Sequence, residues 1–147
     1  MVDPLEEAFP RLAEHGYTIT SARSKRYNCI AWAAGDTRNW WWPIPEADRV
    51  YWPTGVARAE TVPAFRDAYA SLGYVVSDAD KLEPGFEKIA LFANSIGLPL
   101  HAARQLVDGR WTSKLGELED IEHELHDLEG TSYGSVVLLM KRPIAAG

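Results

Sequence analysis

A single cysteine in 147 residues excludes an internal disulfide and any metal site built from several thiolates. The chain also lacks a basic excess. Fifteen Lys and Arg against 21 Asp and Glu leave a net charge of −6, which gives phosphate backbones and anionic membrane surfaces nothing to bind, so neither nucleic acid nor membrane is expected as a partner. Long apolar runs are missing: the longest, Cys29 to Ala34 and Val136 to Met140, fall far short of the ~20 residues of a membrane-spanning helix. Met1-Val2-Asp3-Pro4-Leu5-Glu6-Glu7 has neither the basic start nor the apolar stretch of a secretory signal. A cytoplasmic protein is the default expectation, compatible also with export by an apparatus that cleaves no signal. No repeat, low-complexity tract or cofactor fingerprint is present, and no cofactor is expected.

The remaining composition, 46% hydrophobic and 24% charged, is that of an ordinary globular protein, and its length suits one domain over residues 1–147. Leu5 to His15 predicts a short helix interrupted by Pro10 and ended by Gly16, and Tyr17 to Thr20 a brief strand. Asn28 is placed to cap a helix beginning at Cys29 and closed by Gly35 and Asp36. Thr61 caps the best helical pattern, with Pro63 early in it, Phe65, Ala68, Tyr69 and Leu72 on one face, and Gly73 as its stop. Tyr74 to Val76, Lys88 to Ala93, Pro99 to Val107 and Arg110 to Leu115 read as strands, with Asp108-Gly109 a hairpin signal between the last two. Glu117 to Leu128 reads as a second amphipathic helix carrying Leu118, Ile121, Leu125 and Leu128 inward, and Ser135 to Arg142 as a last strand. Helices first and a mostly antiparallel sheet after them make an α+β layout.

The candidate chemistry centres on Cys29. A thiol on the first residue of a helix feels the positive end of the macrodipole, which lowers its pKa and enriches the thiolate. His101, on a strand, is the candidate base, and the two together make a Cys–His nucleophile pair. The run from His101 through Asp108-Gly109 to Trp111-Thr112-Ser113 is a strand, a tight turn and a returning strand. The turn decides which neighbour orients the imidazole. A two-residue Asp108-Gly109 turn sets Thr112 and Lys114 on the His101 face, whereas a three-residue loop with a bulge sets Ser113 there. Asp120 and His123, on the following element, are further candidates for the orienting role.

In this order of residues the chain resembles the papain-like fold, and within it the NlpC/P60-type cysteine peptidases and their amidase and acyltransferase relatives. These place a cysteine at a helix start, a histidine on a strand and a third polar residue on the next strand. The resemblance implies N-terminal helices, with the cysteine on a helix N-terminus, packed on an antiparallel sheet. It implies Cys29 as nucleophile, His101 as base and Ser113 in the third position, where the family more often has His, Asn or Gln. Tyr17 matches the spacing of an oxyanion-side tyrosine, and Asn28 and Trp32 flank the thiol on the oxyanion or substrate side. The chain departs from the family motif around Cys29, with Asn28 in place of Asp before it and Ile30-Ala31 in place of Ser-Gly after it. The function implied is a cysteine-dependent hydrolase or acyltransferase on amide bonds, with a peptide- or amide-containing substrate.

Blander readings stand beside these. A lone cysteine is often a small core residue. Five of the six tryptophans lie between positions 32 and 52. They can line a groove for a protein or carbohydrate partner in a non-catalytic binding module, or plug an irregular loop to the domain. Arg23, Lys25 and Arg26 form a small basic cluster before Cys29, and His15 reads as an exposed helix end. His123 and His126, with Glu122 and Asp127, read as a solvated acidic helix face; a metal site would need a third ligand converging from elsewhere, so no metal is expected.

Overall fold

In the computed structural model, residues 3–43, 50–115 and 118–144 are described. Two short helices, α1 (Pro4–Ala8) and α2 (Pro10–His15), are separated at Phe9 by Pro10, which opens the second helix. Strand β1 (Thr18–Ile19) leads through a loop to α3 (Cys29–Ala33), and β2 (Trp40–Trp41) and β3 (Val50–Tyr51) form a small parallel pair. Helix α4 (Val62–Ala70) starts where Thr61 Oγ1 accepts the Ala64 N–H at 3.3 Å. It buries Ala64, Phe65, Ala68 and Tyr69.

The remaining strands are β4 (Val75–Ser77), β5 (Phe86–Ala93), β6 (Pro99–Gln105), β7 (Trp111–Lys114), β8 (Asp120–His123) and β9 (Ser135–Pro143), with a 3-10 helix at Leu125–Leu128. Among the described residues they make a seven-stranded sheet in the order β1-β8-β7-β6-β5-β9-β4, with antiparallel neighbours throughout. The fold is α+β.

The expected helix over Glu117–Leu128 is replaced by β8 and the 3-10 turn; its first residue lies outside the described ones. Asp120 to His123 pair residue by residue with Lys114 to Trp111, and Thr18 and Ile19 extend the ladder on the other side. Pairing on both edges satisfies the backbone of β8 better than an isolated amphipathic helix would, and sheet context overrides the helical spacing. Ile121, Leu125 and Leu128 are buried as expected, but Leu118 is exposed.

Side chains alternate across the sheet and divide the core. Ile89, Leu91, Ala102 and Met140 face α3, α4 and the aromatic segment. Ala90, Phe92, Ala103, Trp111 and Ile121 face Phe9, Leu12 and the 3-10 helix. Three tryptophans serve the first half as packing: Trp42 and Trp52 meet Phe65 edge-on at 5.4 and 5.1 Å, and Trp41 stacks on Tyr69. Their indole N–H groups are spent on Glu60, Ala57 and Asp36. This is the hydrophobic plug, built against α4.

Asn28 ties that plug to α3. Its Oδ1 accepts the N–H groups of Ala31 (3.0 Å) and Trp41 (3.1 Å), and its Nδ2 donates to the Trp41 carbonyl at 2.7 Å. Tyr69 adds a second tie, donating its hydroxyl to the Ile30 carbonyl at 2.9 Å. Replacing Asn28 by Ala removes the cap and strands two backbone groups of Trp41, so N28A is expected to lose about 3 kcal/mol of stability. Urea unfolding of the variant against wild type measures this, and a change below ~1 kcal/mol contradicts the clamp.

Candidate functional site

The loop between β6 and β7 selects the partner of His101. Leu106 N–H donates to the Arg110 carbonyl at 2.7 Å, enclosing Val107, Asp108 and Gly109, and Gly109 takes φ +91°. This is the three-residue form, with glycine at the position that needs positive φ. Arg104 therefore pairs with Thr112, and His101, Ala103, Trp111 and Ser113 share a face.

The imidazole of His101 is completely buried there. Its Nε2 lies 2.9 Å from Ser113 Oγ, and Ser113 Oγ lies 2.7 Å from Nε2 of His123. His123 Nδ1 is 2.8 Å from the Glu124 carbonyl. The ring of His101 stacks on Tyr133 at 4.0 Å, nearly parallel, and meets Phe92 edge-on at 5.1 Å. Its Nδ1 is buried and has no hydrogen-bond partner among the described residues. Burial holds His101 well below the usual imidazole pKa, with the neighbouring His123 adding to the effect, and burial takes His123 down to about 4.

Cys29 comes from the other layer. Strand β6 pairs with β7 only at Arg104 and Gln105, which leaves His101 and Ala102 without a β7 ladder, and α3 packs on both strands. The Cys29 thiol meets the N–H of Ala102, the residue after His101, together with the N–H groups of Ile30 and Cys29 itself. Burial, and after it the negative charge that a Cys29 thiolate would carry, raises the pKa of Tyr133, the residue stacked on His101. The pair thus approaches from opposite faces of the sheet, not side by side under one helix.

The expectation of a low thiol pKa is corrected. Burial pushes Cys29 up to about 11, and the surrounding N–H groups and Lys114 only partly offset it. A helix of five residues carries too few aligned peptide dipoles to outweigh desolvation.

The other candidates divide between the layers. Thr112 Oγ1 accepts the Trp32 indole N–H at 3.1 Å, and the Arg104 guanidinium lies over the Trp32 ring at 4.8 Å. Lys114 Nζ donates to the Leu118 carbonyl and lies over the Tyr27 ring. Asp120 Oδ2 accepts the Tyr27 hydroxyl at 2.8 Å. Thr112, Lys114 and Asp120 are therefore held by partners in the α3 layer and do not orient His101. The amide of Asn28 is committed to backbone groups of Ala31 and Trp41. Tyr17 bonds Glu6 at 3.4 Å. With Leu5, Phe9, Leu115 and Tyr133 it lines a cleft of about 290 Å³ in the second layer.

His123 lies on a strand and is buried, while His126 is exposed and bonded to Glu129 and Asp80, so the two do not share a helix face. Among the described residues no group of three His, Cys, Asp or Glu side chains converges as a metal would need. His15 is an exposed helix end, yet its Nδ1 bonds Asp127 at 2.7 Å. Arg23 forms an exposed ion pair with Glu119. Tyr133 escaped the sequence reading. Its only signal was the pair of glycines around it: Gly130 and Gly134 bridge each other, and a Cβ on Gly134 would lie 2.1 Å from the Ala93 carbonyl oxygen, so only glycine fits there.

Residues 18–141 match a family described as "Domain of unknown function (DUF7689)". No curated protein and no solved structure matches the chain. Among the described residues, no helix is long and apolar enough to cross a membrane.

The two depressed histidines make stability depend on pH. Each binds a proton in the unfolded chain below its ordinary pKa but not in the folded one, so the stability is full above about pH 6.5 and is lost as pH falls. His123 alone costs about 2 kcal/mol between pH 7 and 5. His15, raised by Asp127, works in the opposite direction at an exposed site. Urea unfolding across this window should show the fall, and H123Q should flatten it. An unchanged slope in the variant contradicts the assignment.

Proposed function

The chain belongs to this family of undefined function, and for it we propose a papain-like cysteine hydrolase or acyltransferase acting on amide bonds, with Cys29 as nucleophile, His101 as base and Ser113 as the residue that orients the imidazole. One observation carries this reading. His101 is fully buried with Nε2 held by Ser113 and Nδ1 left bare, and the Cys29 thiol lies by the backbone N–H of the very next residue, which favours its charged form. A buried imidazole nitrogen with no partner is costly in a structural role, and a base that must accept a proton needs it.

In the reaction, Nδ1 takes the thiol proton as sulfur attacks the carbonyl carbon. The imidazolium then gives that proton to the leaving amine, and a thioester remains on Cys29. Water in a hydrolase, or an amine or alcohol in a transferase, attacks the thioester, and His101 takes and returns a proton in the same way. The N–H groups of Cys29 and Ala102 are the candidate oxyanion donors. With the thiol near 11 and the imidazole depressed, the resting pair is neutral, so proton transfer accompanies attack. A peptide or peptidoglycan-like amide is the first substrate to try.

The entry of the two side chains from opposite layers, with Cys29 largely buried, favours a second reading, a non-catalytic module with a structural Cys29. Alkylation separates the two. Intact mass after iodoacetamide at pH 7 should show Cys29 labelling fall about tenfold or more in H101A and H101Q, each checked for folding by circular dichroism. Labelling that is unchanged or faster in both variants rejects the enzyme.

A further inference from the structure

The polar chain behind His101 has a direction. At its far end the Glu124 carbonyl can only accept, so His123 carries its proton on Nδ1, 2.8 Å away. The ring is neutral at pH 7, because burial has lowered its pKa to about 4, and its Nε2 is then a bare acceptor. Ser113 has one hydroxyl proton. With Nε2 of His123 at 2.7 Å, that proton is donated to His123, and the Ser113 oxygen is left to accept at 2.9 Å from His101. His101 must therefore hold its proton on Nε2 and keep Nδ1 bare, and Nδ1 is the atom found without a partner.

We propose that His123 is a positioning residue for the reaction: acting through Ser113, it locks His101 in the tautomer whose Nδ1 can accept the Cys29 proton. This rests on the reading of Cys29 and His101 as a working pair. Serine alone cannot supply the lock, because a hydroxyl gives or receives with equal ease; the histidine behind it decides which. The device replaces the Asn, His or Gln that usually fills the third position in the resembling peptidases. It also explains why two histidines and a serine share a dry layer lined by Phe92, Trp111 and Ile121.

The test reads the tautomer directly. In the ¹⁵N NMR spectrum of the folded wild-type chain at pH 7, His101 should show a protonated Nε2 and a bare Nδ1. In H123F the Ser113 hydroxyl loses its acceptor and turns to donate to His101 Nε2, so the His101 proton moves to Nδ1. Cys29 alkylation then falls about tenfold or more, as expected when a base is held in the wrong tautomer. In H123Q the amide oxygen can still accept from Ser113, so the Nε2–H form and most of the labelling rate return.

Wild-type His101 found with its proton on Nδ1 overturns the proposal. So does an H123F chain that keeps the Nε2–H form and the wild-type labelling rate. If H123F does not fold, the wild-type spectrum and H123Q decide: a proton on Nδ1 of His101 in either overturns it, and Nε2–H in both supports it. Failure of the underlying pair looks different, since labelling is then indifferent to H101A whatever the tautomer of His101.

Discussion

The chain of hydrogen bonds running from the Glu124 carbonyl through His123 and Ser113 to His101 is the constraint on which the rest of the site depends. Its members sit in an apolar layer where an unsatisfied polar atom costs far more than it would in water. Three hydrogen bonds cover that cost for every nitrogen and hydroxyl in the chain except Nδ1 of His101. The sheet supplies the geometry: β6, β7 and β8 are consecutive antiparallel neighbours, and His101, Ser113 and His123 project from them to the same side.

The same sheet keeps the thiol apart until one particular place. Over most of its surface the two layers are sealed from each other by paired strands. At the start of β6 the ladder to β7 has not yet begun, and the first residue of α3 meets the strand there. The helix is held in that position at its N-terminal end. Asn28 ties its entrance to Trp41, and Tyr69 of α4 bonds Ile30 in its first turn. The aromatic segment, which has no regular periodicity, gains its order from this anchorage and from Phe65.

Much of the fold was legible because local signals and tertiary context agreed. Asn28 and Thr61 cap the helices they were expected to cap, and β5, β6, β7 and β9 fall on segments expected as strands. The segment from Asp120 to Leu128 misled because Ile121, Leu125 and Leu128 have helical spacing, while the unpaired edge of β7 recruits the backbone beside them. The resemblance pointed to Ser113, but strand geometry left Thr112 and Lys114 open until the loop length was known, since a one-residue difference in the turn exchanges them. The thiol pKa was misjudged because charge effects at a helix end can be read from sequence and burial cannot. Tyr133 left almost no trace, because nothing local tells an aromatic ring in a glycine-bracketed turn that it will cover a histidine.

Three contacts join the N-terminal part of the chain to strands made from its last third: Thr18 pairs with Glu122, Tyr27 bonds Asp120 and Cys29 meets Ala102. Each of these contacts closes a loop of many tens of residues, whereas β5 to β8 form a meander of neighbours in sequence. Loop-closure entropy favours the meander as the earlier structure and makes the N-terminal segment its late arrival. During synthesis the cysteine leaves the ribosome first and has nowhere to go until β6 to β8 have followed it. The nascent thiol therefore waits in water, reactive in the ordinary way, and becomes shielded only when the last strands supply its walls.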